Sequence, residues 1–182
     1  MIPVLLFRSP LPDIAVLEER QDIPGLIRAL AVREPGIQTA AAAALARIGP
    51  AATEPLKDAL KTKNRTLRLG AISALADIRD ARAFDSLVAT TRDPSNEIRW
   101  QACIALGEMG DGRAVPPLLE TLRDKDKYVR YASALSLEKT GYHPATDEER
   151  AYVLAGMQYW GNLTGLNAAA VPATINLLAD SD

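Results

Sequence analysis

The chain has 182 residues, a formal net charge of −2, 48% hydrophobic and only 5% aromatic residues, and one cysteine. This is the composition of a globular chain, long enough for one ordinary domain or a short repeat array. It excludes an internal disulfide and a multi-cysteine zinc site, and a near-neutral balance argues against a general nucleic-acid binder.

The opening MIPVLLFRSP carries a short apolar patch with no basic leader before it. It reads as a docking segment or a fragment end rather than a signal peptide. No apolar run approaches the length of a membrane span. Cys103 sits among apolar residues, as a small buried hydrophobe does, and the expected setting is a reducing cytoplasm. Residues 12–21, PDIAVLEERQ, read as a short capping helix.

From there the chain repeats. PGLIRAL (24–30), EPLKDAL (54–60), DSLVATT (85–91) and PPLLETL (116–122) place Leu26, Leu56, Leu87 and Leu118 in one column. Prolines 24, 55, 116 and 117 lie in the first turns of these helices, where a missing N–H costs nothing. Each segment is followed by a second helix: GIQTAAAAALARIG (36–49), TLRLGAISALADIR (66–79), EIRWQACIALGEMG (97–110) and YVRYASALSLEKTG (128–141). Ile37, Leu67, Ile98 and Val129 recur at offsets of 30, 31 and 31, and Ala44-Leu45, Ala74-Leu75, Ala105-Leu106 and Ser136-Leu137 keep the same register. Gly49, Gly110 and Gly141 are expected to stop the second helices, with Arg79 in that place in the second repeat. A basic excess at Lys57, Lys61, Lys63, Arg65 and Arg68 reads as a solvated helix end.

One helical hairpin cannot cover its own apolar face, so neighbours must stack. The expected fold is all-α: an α-solenoid, or superhelix, of stacked antiparallel hairpins. Residues 1–182 are taken as a single repeat domain, with a cap at 1–21 and repeats at 22–49, 50–80, 81–111 and 112–142. An irregular C-terminal repeat or cap follows at 143–182. There TDEERAYVLAGMQYW begins with a capping-box pattern, Thr146 to Glu149, and AAVPATINLLAD (169–180) is similar to RAVPPLLETLRD (113–124).

These columns resemble HEAT-like repeats of the phycobilin-lyase type, helical hairpins of about 31 residues. Residues 92–141 carry the resemblance best, with turn aspartates Asp93 and Asp124, the pairs Ile98-Arg99 and Val129-Arg130, and the small-residue/leucine pair. Repeat two keeps Leu67-Arg68 but lacks the aspartate, and repeat one has Ile37-Gln38 and keeps neither. The resemblance implies that Arg68, Arg99 and Arg130 pair with the turn aspartates Asp93 and Asp124 in a structural ladder. It is specific for fold and poor for function.

Helical geometry assigns the outward residues. With the Ile98 column as origin, offsets four, seven, eight and eleven cluster on one side and are small or apolar, which makes them the core side. Offsets two and six lie opposite, at about 200° and 240°. They read Thr39 and Ala43, Leu69 and Ser73, Trp100 and Ile104, Tyr131 and Leu135, growing bulkier along the chain. If the second helices line an inner, concave wall, then Leu69, Trp100, Ile104, Tyr131 and Leu135 form an apolar strip. Arg65, Asn96, Glu97, Gln101 and Tyr128 would flank it. An apolar patch with a polar rim marks an interaction site, and Trp and Tyr are preferred anchors. On this expectation, Trp100→Ala would weaken partner capture while leaving the melting temperature nearly unchanged. The alternative is that residues 1–12 or the irregular tail cover the strip, or that a second copy of the chain does.

No catalytic constellation is present in the sequence. One histidine, His143 in TGYHPAT, cannot supply the paired His-Glu motifs of the di-iron hydroxylases that share this fold. GEMGDG (107–112) lies at a helix end and is no phosphate loop. Asp147, Glu148 and Glu149 stand at a helix start, where negative charge complements the dipole. No metal site and no cofactor are expected. The favoured function is therefore a non-enzymatic scaffold that binds a protein or peptide, with no membrane or nucleic-acid partner and with homo-oligomerisation left open. The alternatives are a bilin-lyase-like enzyme subunit, implied by the resemblance alone, and a nucleic-acid-binding HEAT-like module.

Overall fold

The structure, a computed structural model, describes residues 11–157. The opening segment 1–10 and everything from 158 onward, including the expected repeat-like helix at 169–180, lie outside the described residues. The described chain folds into helices joined by short turns, with no strand among them. A short leading helix, α1 (Ile14–Glu19), precedes four hairpins. These are α2 (Ile23–Leu30) with α3 (Pro35–Ile48), α4 (Thr53–Leu60) with α5 (Arg65–Ile78), α6 (Phe84–Thr90) with α7 (Asn96–Met109), and α8 (Val115–Thr121) with α9 (Lys127–Lys139). A final helix, α10 (Asp147–Gly156), packs on α9.

Local chemistry sets the starts and stops. Asp13, Asp22, Asn64 and Asp126 each accept a backbone N–H from the first turn of the helix that follows, satisfying a donor that the helix itself leaves orphaned. Thr146 does the same for Glu149, while the Glu149 carboxylate accepts the Ala145 N–H at 2.8 Å. The reciprocal half of the capping box thus lands one residue earlier than the standard arrangement. Gly49, Gly110 and Gly141 take positive φ at 77°, 65° and 73°. Arg79 takes the same left-handed place at φ 55° despite its Cβ. The repeat demands the conformation, and the residue there bears the strain.

The second helices α3, α5, α7 and α9 contact one another in succession, and each also contacts the first helix of its own hairpin. The leucine columns meet between them: Leu26, Leu56, Leu87 and Leu118 are fully buried, as are Leu45, Leu75, Leu106 and Ile98. Each such side chain contributes about 2 kcal/mol on burial. Alanines at 41, 44, 71, 74, 102, 105, 132 and 134 are also fully buried and let the helices approach closely. One close approach is at Gly107, where an added Cβ would stand 2.6 Å from Ser136 Oγ and 2.9 Å from Ser136 Cα. This α-solenoid of stacked hairpins matches the architecture expected from the repeat.

One recurring feature lies between the hairpins. Asp80-Ala-Arg-Ala and Asp111-Gly-Arg-Ala each form a 3-10 turn, Ala81–Ala83 and Gly112–Ala114. In each turn the aspartate accepts the N–H of the arginine two residues on, at 3.0 and 2.9 Å, and pairs with that guanidinium. The arginine then reaches back to the preceding hairpin. Arg82 donates to the Pro50 carbonyl at 2.8 Å, and Arg113 lies 4.3 Å from the centroid of the Phe84 ring. The spacing of the two motifs, one repeat apart, was the available signal for these turns.

Candidate docking site

On α7 the apolar residues divide between two sides. Ile98, Ala102, Ala105 and Leu106 are fully buried, and Met109 packs partly against the core. Trp100 is 36% exposed. On α9, Tyr128 is 60% and Tyr131 39% exposed. Among the described residues the large exposed hydrophobics are these three aromatics together with Leu11 and Val16, so most of the exposed oily surface belongs to two adjacent helices. Leu69, Ile104 and Leu135 are half-buried, and the first two pack against the core. None of the three stands clear of the surface as the aromatics do.

Trp100 is therefore an intermediate case. Roughly two-thirds of it is covered, which for a side chain of about 250 Å² at about 25 cal/mol per Å² corresponds to about 4 kcal/mol of folding free energy. Truncating it should therefore cost stability as well as any binding, and a lowered melting temperature is the outcome its coverage leads one to expect. Tyr131, at 39%, is covered nearly as far as Trp100, so Tyr128 is the cleaner probe of this face.

Between the first turns of α7 and α9 lies a recess of about 220 Å³ lined by Asn96, Glu97, Trp100, Asp126 and Tyr128. Arg65, on the preceding second helix, pairs with Glu97 across the repeat. Asp126 accepts the N–H groups of Tyr128 at 2.9 Å and Val129 at 3.2 Å, and the Asn96 side-chain amide at 2.5 Å. The structure thus brings together Glu97, Trp100 and Tyr128, with Arg65 at the edge. Gln101 is half-buried on α7, and Tyr131 stands one turn beyond Tyr128 on α9. Asn96 and Asp126 complete the recess. Asp126 was missed because its proximity to Trp100 depends on how two helices stack.

The arginines behind this face are not equivalent. Arg68 pairs with Asp93 through Nη1 alone, leaving its buried Nε without a partner. Arg99 is buried and holds the Asp124 carboxylate in two bonds, at 2.7 and 2.8 Å. Its Nη1 also donates to the Asp93 and Pro94 carbonyls at 3.0 and 3.2 Å. Arg130 repeats only the second half, donating to the Asp124 and Lys125 carbonyls at 2.8 and 3.1 Å, with no carboxylate partner among the described residues. Gln38 plays the same part in the first hairpin, donating to the Val32 carbonyl. Gln38, Arg99 and Arg130 share a bond from the helix back to its own preceding turn. Arg68 and Arg99 make the ion pair to the next hairpin, and of these Arg99 has both. Each turn aspartate also accepts a backbone N–H, Ser95 on Asp93 at 2.9 Å and Asp126 on Asp124 at 2.8 Å, so one carboxylate shapes its loop while it fixes its neighbour.

Groups suited to catalysis are dispersed. The Cys103 thiol is buried beside Ser133 and Thr121, and burial pushes its pKa up, away from the reactive thiolate. His143 is exposed in a turn beside Tyr142 and Met157. Among the described residues no group of three or more His, Cys, Asp or Glu is placed to hold a metal ion, and no helix is long and apolar enough to cross a membrane.

Fold and surface together define a helical-repeat solenoid with an aromatic recess between two stacked second helices. The family of HEAT repeats matches residues 23–97 and 85–159, and the chain belongs to it. No match was found among curated proteins. HEAT repeats commonly serve as protein-interaction scaffolds and are typically non-enzymatic.

Proposed function

We propose that the protein is a non-enzymatic scaffold that captures a protein or peptide segment on the face presented by α5, α7 and α9. One observation carries this reading: Trp100, Tyr128 and Tyr131 stand exposed on neighbouring helices beside an open recess. Aromatic side chains offer large contact area at small entropic cost, and they recur as binding anchors. Stacked helices hold them in place before the partner arrives, so little ordering remains to oppose binding. Leu69, Ile104 and Leu135 add half-buried apolar surface, and Arg65, Glu97 and Gln101 set orientation. Arg68, Asp93, Arg99 and Asp124 keep the helices in register, and Arg130 braces the turn before its own helix. In this reading residues 1–182 form one repeat domain with the boundaries given above, and the working surface is its concave wall. A cytoplasmic setting suits the single buried, free thiol.

A nucleic-acid partner is not favoured, because Glu97 and Asp126 would face phosphate at the recess. No structural observation favours a bilin-lyase-like activity. The test is affinity capture from native extract, comparing wild type with Tyr128→Ala. The variant should keep its helical circular dichroism and melting temperature while losing the captured partner. Equal capture by both proteins would refute the reading. A wild-type solution mass of two chains that falls to one in the variant would assign the face to a second copy instead.

A further inference from the structure

We propose that the recess between α7 and α9 receives an arginine side chain from the partner segment. The inference rests on the docking reading above and adds which group the face selects. The walls are the rings of Trp100 and Tyr128, whose π faces attract cations and repel anions. The polar lining is Asn96, Glu97 and Asp126, and its hydrogen-bonding capacity is lopsided. Glu97 Oε2 is buried and, apart from its ion pair with Arg65, accepts no hydrogen bond among the described residues. Asp126 Oδ1 is occupied by two backbone N–H groups, but Oδ2 takes only the Asn96 amide and keeps a lone pair. Asn96 Oδ1 in turn accepts the Glu97 N–H at 2.9 Å. The unspent capacity is thus mainly that of carboxylate acceptors.

An apolar group entering here would strip water from two carboxylates and return no hydrogen bond, which is costly. A carboxylate or phosphate would meet like charge. A guanidinium answers both needs: it is flat enough to stack on an aromatic ring, weakly hydrated, and carries five donors for planar carboxylates. The volume suits it, since about 220 Å³ is roughly seven times a water molecule's share of liquid. The chain itself supplies a precedent, the Lys127 ammonium lying 5.4 Å from the centroid of the Tyr128 ring. Arg65, Lys127 and the positive ends of α7 and α9 offset the negative charge of Glu97 and Asp126. Selection is therefore short-ranged, by stacking and hydrogen bonding, rather than by a long-range field.

The test uses the full chain and four dye-labelled peptides, acetyl-Ala-Leu-Xaa-Leu-Ala-amide with Xaa arginine, lysine, norleucine or glutamate, read by fluorescence anisotropy. The arginine peptide should bind about tenfold tighter than the norleucine peptide, with lysine between them and glutamate weakest. Glu97→Gln/Asp126→Asn should bring the arginine peptide down to the level of the norleucine peptide measured on the same variant. Asparagine remains a competent helix cap at 126, and Glu97→Gln alone should remove part of the preference. The inference is overturned if norleucine, lysine or glutamate matches or exceeds arginine in wild type. It is also overturned if the preference survives in the double variant, or if the arginine peptide fails to saturate by about 10 mM. Norleucine and arginine bound equally, and both lost with Tyr128→Ala, would remove the cation and leave the docking face standing.

Discussion

Replacing Arg99 with methionine keeps an apolar stem and deletes the guanidinium that joins two hairpins. Four hydrogen bonds go with it: two to the Asp124 carboxylate at 2.7 and 2.8 Å, and two to the carbonyls of Asp93 and Pro94 at 3.0 and 3.2 Å. Asp124 keeps the Asp126 N–H at 2.8 Å but loses its countercharge, and its side chain is only 12% exposed. Removing one partner of a buried ion pair costs about 3–5 kcal/mol. The remaining backbone donor and slight exposure place this case near the lower end, at about 3 kcal/mol. That is a large share of the 5–15 kcal/mol typical of folded chains, and it lowers the melting temperature by roughly 6–12 °C at this size. Arg130→Met provides the control. It loses only two bonds to carbonyls at 2.8 and 3.1 Å, so it should cost about 1–2 kcal/mol. The assay is equilibrium unfolding in urea, because guanidinium chloride would screen the interaction being measured. Asp124→Asn added to Arg99→Met should recover part of the loss, giving a double variant more stable than the sum of the two singles. A loss for Arg99→Met no larger than for Arg130→Met would refute the idea that the ion pair ties the hairpins together.

Gly107→Ala should destabilise by about 1–3 kcal/mol, because its methyl meets the Ser136 backbone and α7 must back away from α9; urea midpoints check this, and an unchanged midpoint rules out the close approach. Arg79→Gly should stabilise by about 0.5–1 kcal/mol through relief of the left-handed backbone, the exposed pair with Glu108 at 3.7 Å being worth little. A fall in stability on that substitution would contradict the strain. The Tyr142 phenol donates to Glu149 at 2.7 Å, and burial first, then the carboxylate, pushes its pKa from 10.0 up to about 12. Because the folded value is the higher one, its stabilising contribution is complete below pH 10 and disappears as pH rises through about 12. Absorbance titration of wild type against Tyr142→Phe should show one late-titrating phenol missing from the variant; a missing phenol that titrates near 10.0 would place the hydroxyl in solvent.

Much of the architecture was legible in the chain because it depends on local chemistry repeated at a fixed spacing. The leucine columns, the first-turn prolines and the stops at Gly49, Arg79, Gly110 and Gly141 each act within one or two helical turns, where sequence distance and spatial distance coincide. The outward direction of Trp100 and Tyr131 followed from the same periodicity. What escaped depends on how one hairpin sits on the next. Asp126 and Trp100 line the same recess although they are far apart along the chain, and no pattern within one helix announces that meeting. Arg99 and Arg130 look alike in sequence, yet only Arg99 has a carboxylate partner among the described residues. Trp100 itself proved part covered and part exposed, since coverage depends on the neighbouring helix and not on helical phase alone. The repeat period thus determined that hairpins form and which faces they bury, because both are summed from local preferences. The stacking register decided which side chains meet across the seam, because burial, ion pairing and the shape of a recess belong to two helices at once.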